Sequence, residues 1–217
     1  GETLAYQAGQ YAQIEVPPYG DVREPTQRAY SLASHPQLAG KLEFVIRLVP
    51  GGAVTSYVHR FLKVGQVLNV VAPMGDFRVR PGTATMVCLA AGSGMAPFKG
   101  IFSDMELKGE LETRDVWYFF GAHANHDSYY LDWLRDLGRR HPRFHYLPSL
   151  TTPDPGLPWD GLVGRITAIL DRHLREVIGA GPREGYLCGS PGLVDSCVAV
   201  MRANGITAED IFFDKFT

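Results

Sequence analysis

Thr85-Met86-Val87-Cys88-Leu89-Ala90-Ala91-Gly92-Ser93-Gly94-Met95-Ala96-Pro97-Phe98 is an apolar run, then a glycine turn, then residues able to open a helix. A parallel strand covered on both faces needs such an unbroken run, because neither face meets water. Pro97 falls near the first turn of the helix, where a missing N–H does no harm. The rhythm repeats downstream, with strands expected at Thr85 to Ala90, Val116 to Phe120, Phe144 to Leu150 and Gly185 to Cys188. Apolar residues three and four apart then mark four helical faces: Phe98, Ile101, Phe102 and Met105; Tyr130, Trp133, Leu134 and Leu137; Ile166, Ile169, Leu170 and Leu174; Val194, Cys197, Val198 and Met201. Strand, turn and helix in alternation build a parallel, Rossmann-like α/β sheet, here expected over 84–217.

Upstream the pattern is different. Short strand-like runs, Tyr11 to Val16, Arg28 to Ala33, Leu42 to Leu48 and Val67 to Ala72, are separated by Pro17-Pro18-Tyr19-Gly20, His35-Pro36 and Pro50-Gly51-Gly52. That spacing predicts a small antiparallel sheet or β-barrel over 1–80. One helix interrupts it, capped by Thr55 or Ser56 and carrying Val58, Phe61 and Leu62 on its apolar face. Arg80-Pro81-Gly82 is the expected junction. The chain opens on Gly1, with no initiator methionine and almost directly in a strand-like segment, which reads as a fragment.

The 217 residues have room for two cores, and 45% apolar and 20% charged residues describe an ordinary globular protein. A net charge of −2 gives no electrostatic reason to bind nucleic acid or an anionic membrane. No apolar run approaches the roughly 20 residues of a membrane span, and no basic-then-apolar leader is present, so a cytoplasmic location is expected. The three cysteines have neither zinc nor iron–sulfur spacing, and the histidines show no ligand pattern, so no metal is expected. Cys88 and Cys197 read as small buried hydrophobes, whereas Cys188 ends a strand beside glycine. Neither a Gly-x-Ser-x-Gly elbow nor a Walker lysine turn supports a hydrolase or a kinase.

Several motifs carry chemistry. Arg28-Ala29-Tyr30-Ser31 could be a solvated edge strand, yet its parts suit a flavin: a guanidinium for pyrophosphate, a phenol for the ring, a hydroxyl for a ring nitrogen. Pro50-Gly51-Gly52-Ala53-Val54-Thr55-Ser56 is either a simple turn into a helix or a cradle holding the same pyrophosphate on helix amides. Gly92-Ser93-Gly94 departs from the full Gly-x-Gly-x-x-Gly pattern because Pro97 holds the third position, but small residues at a strand's carboxyl end let a nicotinamide approach. Cys188-Gly189-Ser190-Pro191 would stand level with that turn in a parallel sheet, and the closing Phe212-Phe213-Asp214-Lys215-Phe216 holds an aromatic suited to cover something flat. Gly121 follows the second strand, and Asp127 beyond it is placed either to cap a helix or to meet an adenosine ribose. No lysine or arginine lies between Gly121 and Leu134 or in Leu150 to Pro153. That favours NADH over NADPH, with Arg135, Arg139 and Arg143 as the cations that could fold back.

On these motifs the chain resembles the ferredoxin–NADP reductase superfamily over nearly its whole length. Within it, the chain is similar to the FAD/NADH reductase components of bacterial oxygenases, such as phenol hydroxylase and toluene monooxygenase reductases, and to the flavin subunit of sodium-translocating NADH:quinone reductase. The resemblance implies FAD held by Arg28, Ala29, Tyr30 and Ser31, by Val45, Ile46 and Arg47, and by Gly51, Gly52, Val54, Thr55 and Ser56. It implies NADH at Gly92, Ser93, Gly94, Pro97, Cys188, Gly189 and Pro191, beside the Gly121 and Asp127 read above. Phe216 is expected on the far flavin face, with Ser31, Cys188 and Asp214 near the reacting atoms. The implied activity is NADH reduction of FAD in a cleft between the halves. Electrons then pass to a ferredoxin-type iron–sulfur acceptor, in the same full-length protein or a separate one, and an oxygenase component is a possible further partner. The Cys-x4-Cys-x2-Cys loop of a ferredoxin domain is not found in these residues. A free flavin, ferric or quinone reductase and a non-catalytic nucleotide-sensing module are the alternatives.

Overall fold

The computed structural model describes residues 4–216. They form two compact units, one built from the residues up to Val79 with Ala96–Asp104, the other from Arg80–Met95 and the residues from Met105 onward.

In the first unit β1 (Tyr11–Val16), β2 (Thr26–Ser31) and β3 (Asn69–Met74) make an antiparallel sheet in the order β2-β1-β3. Burial along β1 alternates as a half-covered strand requires, with Ala12, Ile14 and Val16 inside. The helix α1 (Ala53–Arg60) closes this side, burying Val54 and Tyr57 against Val16. Three local expectations change. The helix starts earlier than read, with Gly52 at its N-cap, because the Thr55 hydroxyl turns back onto the preceding loop instead of capping; Phe61 falls beyond the helix and is half exposed. Leu42 to Leu48 keeps one bridge, Leu32 to Phe44, and no ladder. There Ser34 Oγ accepts the Glu43 N–H that a neighbouring strand would otherwise take. The strands expected at Arg28 to Ala33 and Val67 to Ala72 are each displaced by two residues, to Thr26–Ser31 and Asn69–Met74.

The second unit holds six parallel strands: β4 (Thr85–Ala91), β5 (Val116–Ala122), β6 (Phe144–Leu150), β7 (Leu162–Val163), β8 (Arg183–Gly189) and β9 (Ile211–Lys215), in the order β7-β6-β5-β4-β8-β9. Its helices are α3 (Leu131–Arg140), α4 (Ile166–Glu176) and α5 (Pro191–Ala203), while α2 (Met95–Leu107), which follows β4 in the chain, belongs to the first unit through Ala96–Asp104. Val87, Leu89, Phe119 and Leu187 on one sheet face pack with Ile169 and Leu170 of α4 and Val194, Cys197 and Met201 of α5. The antiparallel-then-parallel architecture is the expected one, while β7 and β9 were not expected. Tyr130 does not join the face of α3 either, since it sits before the helix at φ 54.

Chain order reverses at β4, with β5 and β6 on one side and β8 and β9 on the other. Such a switch point leaves a crevice at the carboxyl ends of the strands. At the opposite ends, buried Arg114 donates to the carbonyls of Ala84 (2.7 Å) and Arg80 (2.9 Å) and to Glu184 (2.7 Å), fastening residues 80–84 to the sheet. The Tyr186 hydroxyl donates to the same carboxylate and accepts the Arg80 N–H.

Candidate functional site

In the first unit, β2 presents Arg28 and Tyr30 to one face and Ser31 to the other, as strand alternation demands. Arg28 and Ala29 are exposed, Ser31 is buried, and Arg28 donates to the Gln27 carbonyl beside it. Tyr30 is half-buried against Val16, Val54 and Tyr57. That burial raises its phenol pKa and Arg28 opposes the rise, so at neutral pH the hydroxyl keeps its proton. Val45 and Ile46 are half-buried and Arg47 is exposed, on the extended stretch leading to the α1 turn.

That turn is built by Thr55. Its hydroxyl accepts the Val49 N–H and lies within bonding distance of the Val49 carbonyl (3.2 Å each) and the Gly52 carbonyl (3.4 Å). A Cβ on Gly52 would stand 2.7 Å from Thr55 Oγ1 and 3.1 Å from the Val49 oxygen, so the loop can lie this flat only with glycine there. Ser56 N–H goes to the Gly52 carbonyl, and no side chain among the described residues caps the helix. The first helical N–H groups, at Ala53, Val54 and Thr55, have no acceptor inside the helix. With Gly51 exposed and no acidic side chain in the first turn, this end suits an anion. A dinucleotide flavin's diphosphate fits it.

In the second unit the carboxyl ends of β4 and β8 bring three sequence motifs together. A 3-10 turn, Gly92–Gly94, leaves β4 and leads into α2, where Pro97 is buried in the first turn. A Cβ on Gly94 would stand 2.4 Å from the Cys188 carbonyl oxygen and 2.9 Å from its carbon. The two turns therefore touch, backbone to backbone. Cys188 is in register with Ala90 on one side and Asp214 on the other, and Phe216 N–H donates to the Gly189 carbonyl at 2.9 Å. Pro191 opens α5 beyond Ser190. This arrangement fits a ligand that needs close backbone approach, as a nicotinamide does.

Cys188 itself is fully buried, and burial, followed by the nearby Asp214, holds its thiol pKa well above the usual range. It stays a neutral wall and supplies no thiolate. Gly121 lies next to the end of β5 along the same edge, and Asp127 lies in a 3-10 turn, Asn125–Asp127, ahead of α3. Because α3 begins at Leu131, Asp127 is not its cap, which corrects that reading. Arg135, Arg139 and Arg143 are engaged by Asp160, Asp136 and Asp115. The stretch from Thr151 is tied down: Thr151 and Thr152 N–H groups reach the Ala122 and His123 carbonyls, and Asn125 and Asp154 exchange two hydrogen bonds. Sequence spacing carried no signal for that pairing. The flavin-motif residues thus lie in the first unit, and the Gly92, Cys188 and Asp214 group in the second.

Comparison with known proteins identifies the family of each part of the chain. The profile described as an oxidoreductase FAD-binding domain matches residues 1–79, and that of an oxidoreductase NAD-binding domain matches residues 88–199. The xylene/toluene monooxygenase electron transfer component of Pseudomonas putida is 36% identical over 98% of this chain, which spans 58% of that protein. One component of the Na(+)-translocating NADH-quinone reductase of Klebsiella pneumoniae is 29% identical over all of this chain, which spans 61% of it. Among solved structures, an Amycolatopsis cytochrome P450 reductase superposes with a TM-score of 0.85 at 30% identity, over all of this chain and 62% of its own. The chain thus spans about three-fifths of the length of these three proteins.

Proposed function

The chain belongs to the FAD- and NAD-binding oxidoreductases of the ferredoxin reductase type, and on that premise we propose that it is the NADH-to-flavin part of an oxygenase reductase. Its acceptor is a ferredoxin-type iron–sulfur centre, in the same full-length protein or a separate one. The xylene/toluene monooxygenase component motivates the oxygenase assignment. Residues 1–80 take FAD and 84–217 take NADH in this reading. The observation that carries it is the backbone contact of Gly94 with Cys188 at the switch point, with Asp214 in register beside it.

When bound, NADH supplies a hydride and FAD accepts it and returns electrons singly. The chain's own residues bind and orient. Arg28 and the uncapped start of α1 would take the diphosphate charge, and the half-buried Tyr30 phenol would pack on the flavin ring, with Ser31 next to it in the chain. Gly92, Ser93 and Gly94, facing Cys188 and Gly189, let the nicotinamide lie against backbone. The protonated Cys188 excludes water there, with Asp214 in register next to it. None of these groups has to move a proton.

NADH is preferred over NADPH because the nearby arginines are already engaged by carboxylates. Among the described residues no helix is long and apolar enough to cross a membrane, and the cytoplasm is the proposed location. Purified protein loaded with FAD should show flavin absorption without iron–sulfur bands and should reduce ferricyanide with NADH. A preparation that binds flavin but gives no NADH-driven reduction would refute the assignment and leave a sensor.

A further inference from the structure

We propose that Tyr19 is a positioning residue for the flavin diphosphate, an inference that rests on the reading of the first unit as the FAD site. Tyr19 lies in the connection between β1 and β2, where its backbone exchanges hydrogen bonds with Val22 at 3.0 and 2.8 Å. The anchored ring packs against Tyr57 and Phe61, with centroids 5.3 and 5.0 Å away. Its hydroxyl donates to the carbonyl of Ala53, the first residue of α1.

The carbonyl of Ala53 and the N–H of Val54 belong to one planar trans peptide and point in opposite directions. A hydrogen bond that fixes the oxygen therefore fixes the direction of the Val54 N–H, one of the donors that α1 leaves without an internal acceptor. From the other side Thr55 fastens the same helix start to Val49. Two braces, one from the β1–β2 connection and one from the preceding loop, thus aim the first amides of an uncapped helix. Aimed donors hold an anion better than frayed ones because their ordering cost is met before binding. Pro17-Pro18-Tyr19-Gly20 reads as a turn in the sequence, and nothing local in it points to Ala53, 34 residues away.

The test is Tyr19→Phe in the whole 217-residue chain, freed of flavin and titrated with FAD and with riboflavin by fluorescence quenching. The ring stays and the hydroxyl goes, so FAD should bind about fivefold more weakly, the size of one lost hydrogen bond. Riboflavin, which has the same ring system and no phosphate, should bind as before. Tyr19→Leu, which also removes the ring, should lower the melting temperature more than Tyr19→Phe does. Unchanged FAD affinity in Tyr19→Phe, or equal weakening of FAD and riboflavin, would overturn the role. Arg28→Ala is the companion variant. If it weakens FAD while Tyr19→Phe does not, only the Tyr19 role falls; if neither does, the flavin assignment of this unit falls with it.

Discussion

Replacing Gly94 with alanine puts a methyl group where the backbone of Cys188 already stands. The new Cβ would lie 2.4 Å from the Cys188 carbonyl oxygen, 2.9 Å from its carbon and 3.2 Å from Gly189 Cα. Non-bonded heavy atoms settle at about 3.5 Å, so the turn after β4 and the end of β8 must part by roughly 1 Å. Both sides are backbone, so no flexible side-chain tip can yield. Overpacking of this kind costs about 1–3 kcal/mol, which in a chain of this size lowers the melting temperature by about 2–12 °C. A displacement of about 1 Å in positioning elements can cost on the order of 100-fold in rate. We expect kcat/KM for NADH in ferricyanide reduction to fall by roughly 10–100-fold, with the FAD content of the protein unchanged. Gly109→Ala is the control. That residue, away from both candidate sites, sits at φ 71 with nothing within 4 Å, so the substitution brings only left-handed strain, about 1–2 kcal/mol, and should leave the NADH kinetics close to those of the unaltered chain. Normal stability and kinetics in Gly94→Ala would refute the convergence of the two turns.

Arg28→Ala should weaken FAD by about 10–100-fold, the range of a lost charge-assisted hydrogen bond. NADH affinity and the stability of the flavin-free protein should be retained, since Arg28 is exposed; equal loss of both ligands would contradict the placement. Arg114→Ala should cost about 3–5 kcal/mol in urea unfolding, because it removes the charged partner of the Glu184 carboxylate, leaving it the Tyr186 hydroxyl, and takes a donor from two carbonyls; a cost below about 1 kcal/mol would show the cluster to be solvated. Burial raises the pKa of Cys88, Cys188 and Cys197, the last to about 12. Folded thiols stay protonated where unfolded ones ionise, so their contribution to stability is complete below about pH 8.5. Above it, each lost proton removes about 1.4 kcal/mol per pH unit. Urea midpoints should decline from about pH 8.5 upward, less steeply in Cys197→Ala, and a thiol-specific reagent should label the folded protein negligibly at pH 8. Rapid labelling would mean that the cysteines are accessible. Asp127→Arg should narrow the NADH-over-NADPH preference in kcat/KM; an unchanged ratio would remove Asp127 from the adenosine end.

Sequence alone determined whatever depends on near neighbours. Apolar runs such as Met86 to Ala90 and Val116 to Phe120 mark strands covered on both faces, and residues such as Ile166, Ile169, Leu170 and Leu174 recur with the period of a helix, because side-chain direction follows backbone geometry within a few residues. The glycine turns were legible for the same reason. Tertiary structure decided what depends on pairing across the chain. The aromatic end is a strand because β8 offers it a free edge, and Leu42 to Leu48 makes no ladder because Ser34 takes its donor. Gly94 must be glycine because of a carbonyl on Cys188, and Tyr19 matters because of one on Ala53. Hydrogen bonds and steric contacts between distant segments leave no periodicity in the sequence, since each is fixed only after the strands have found their order.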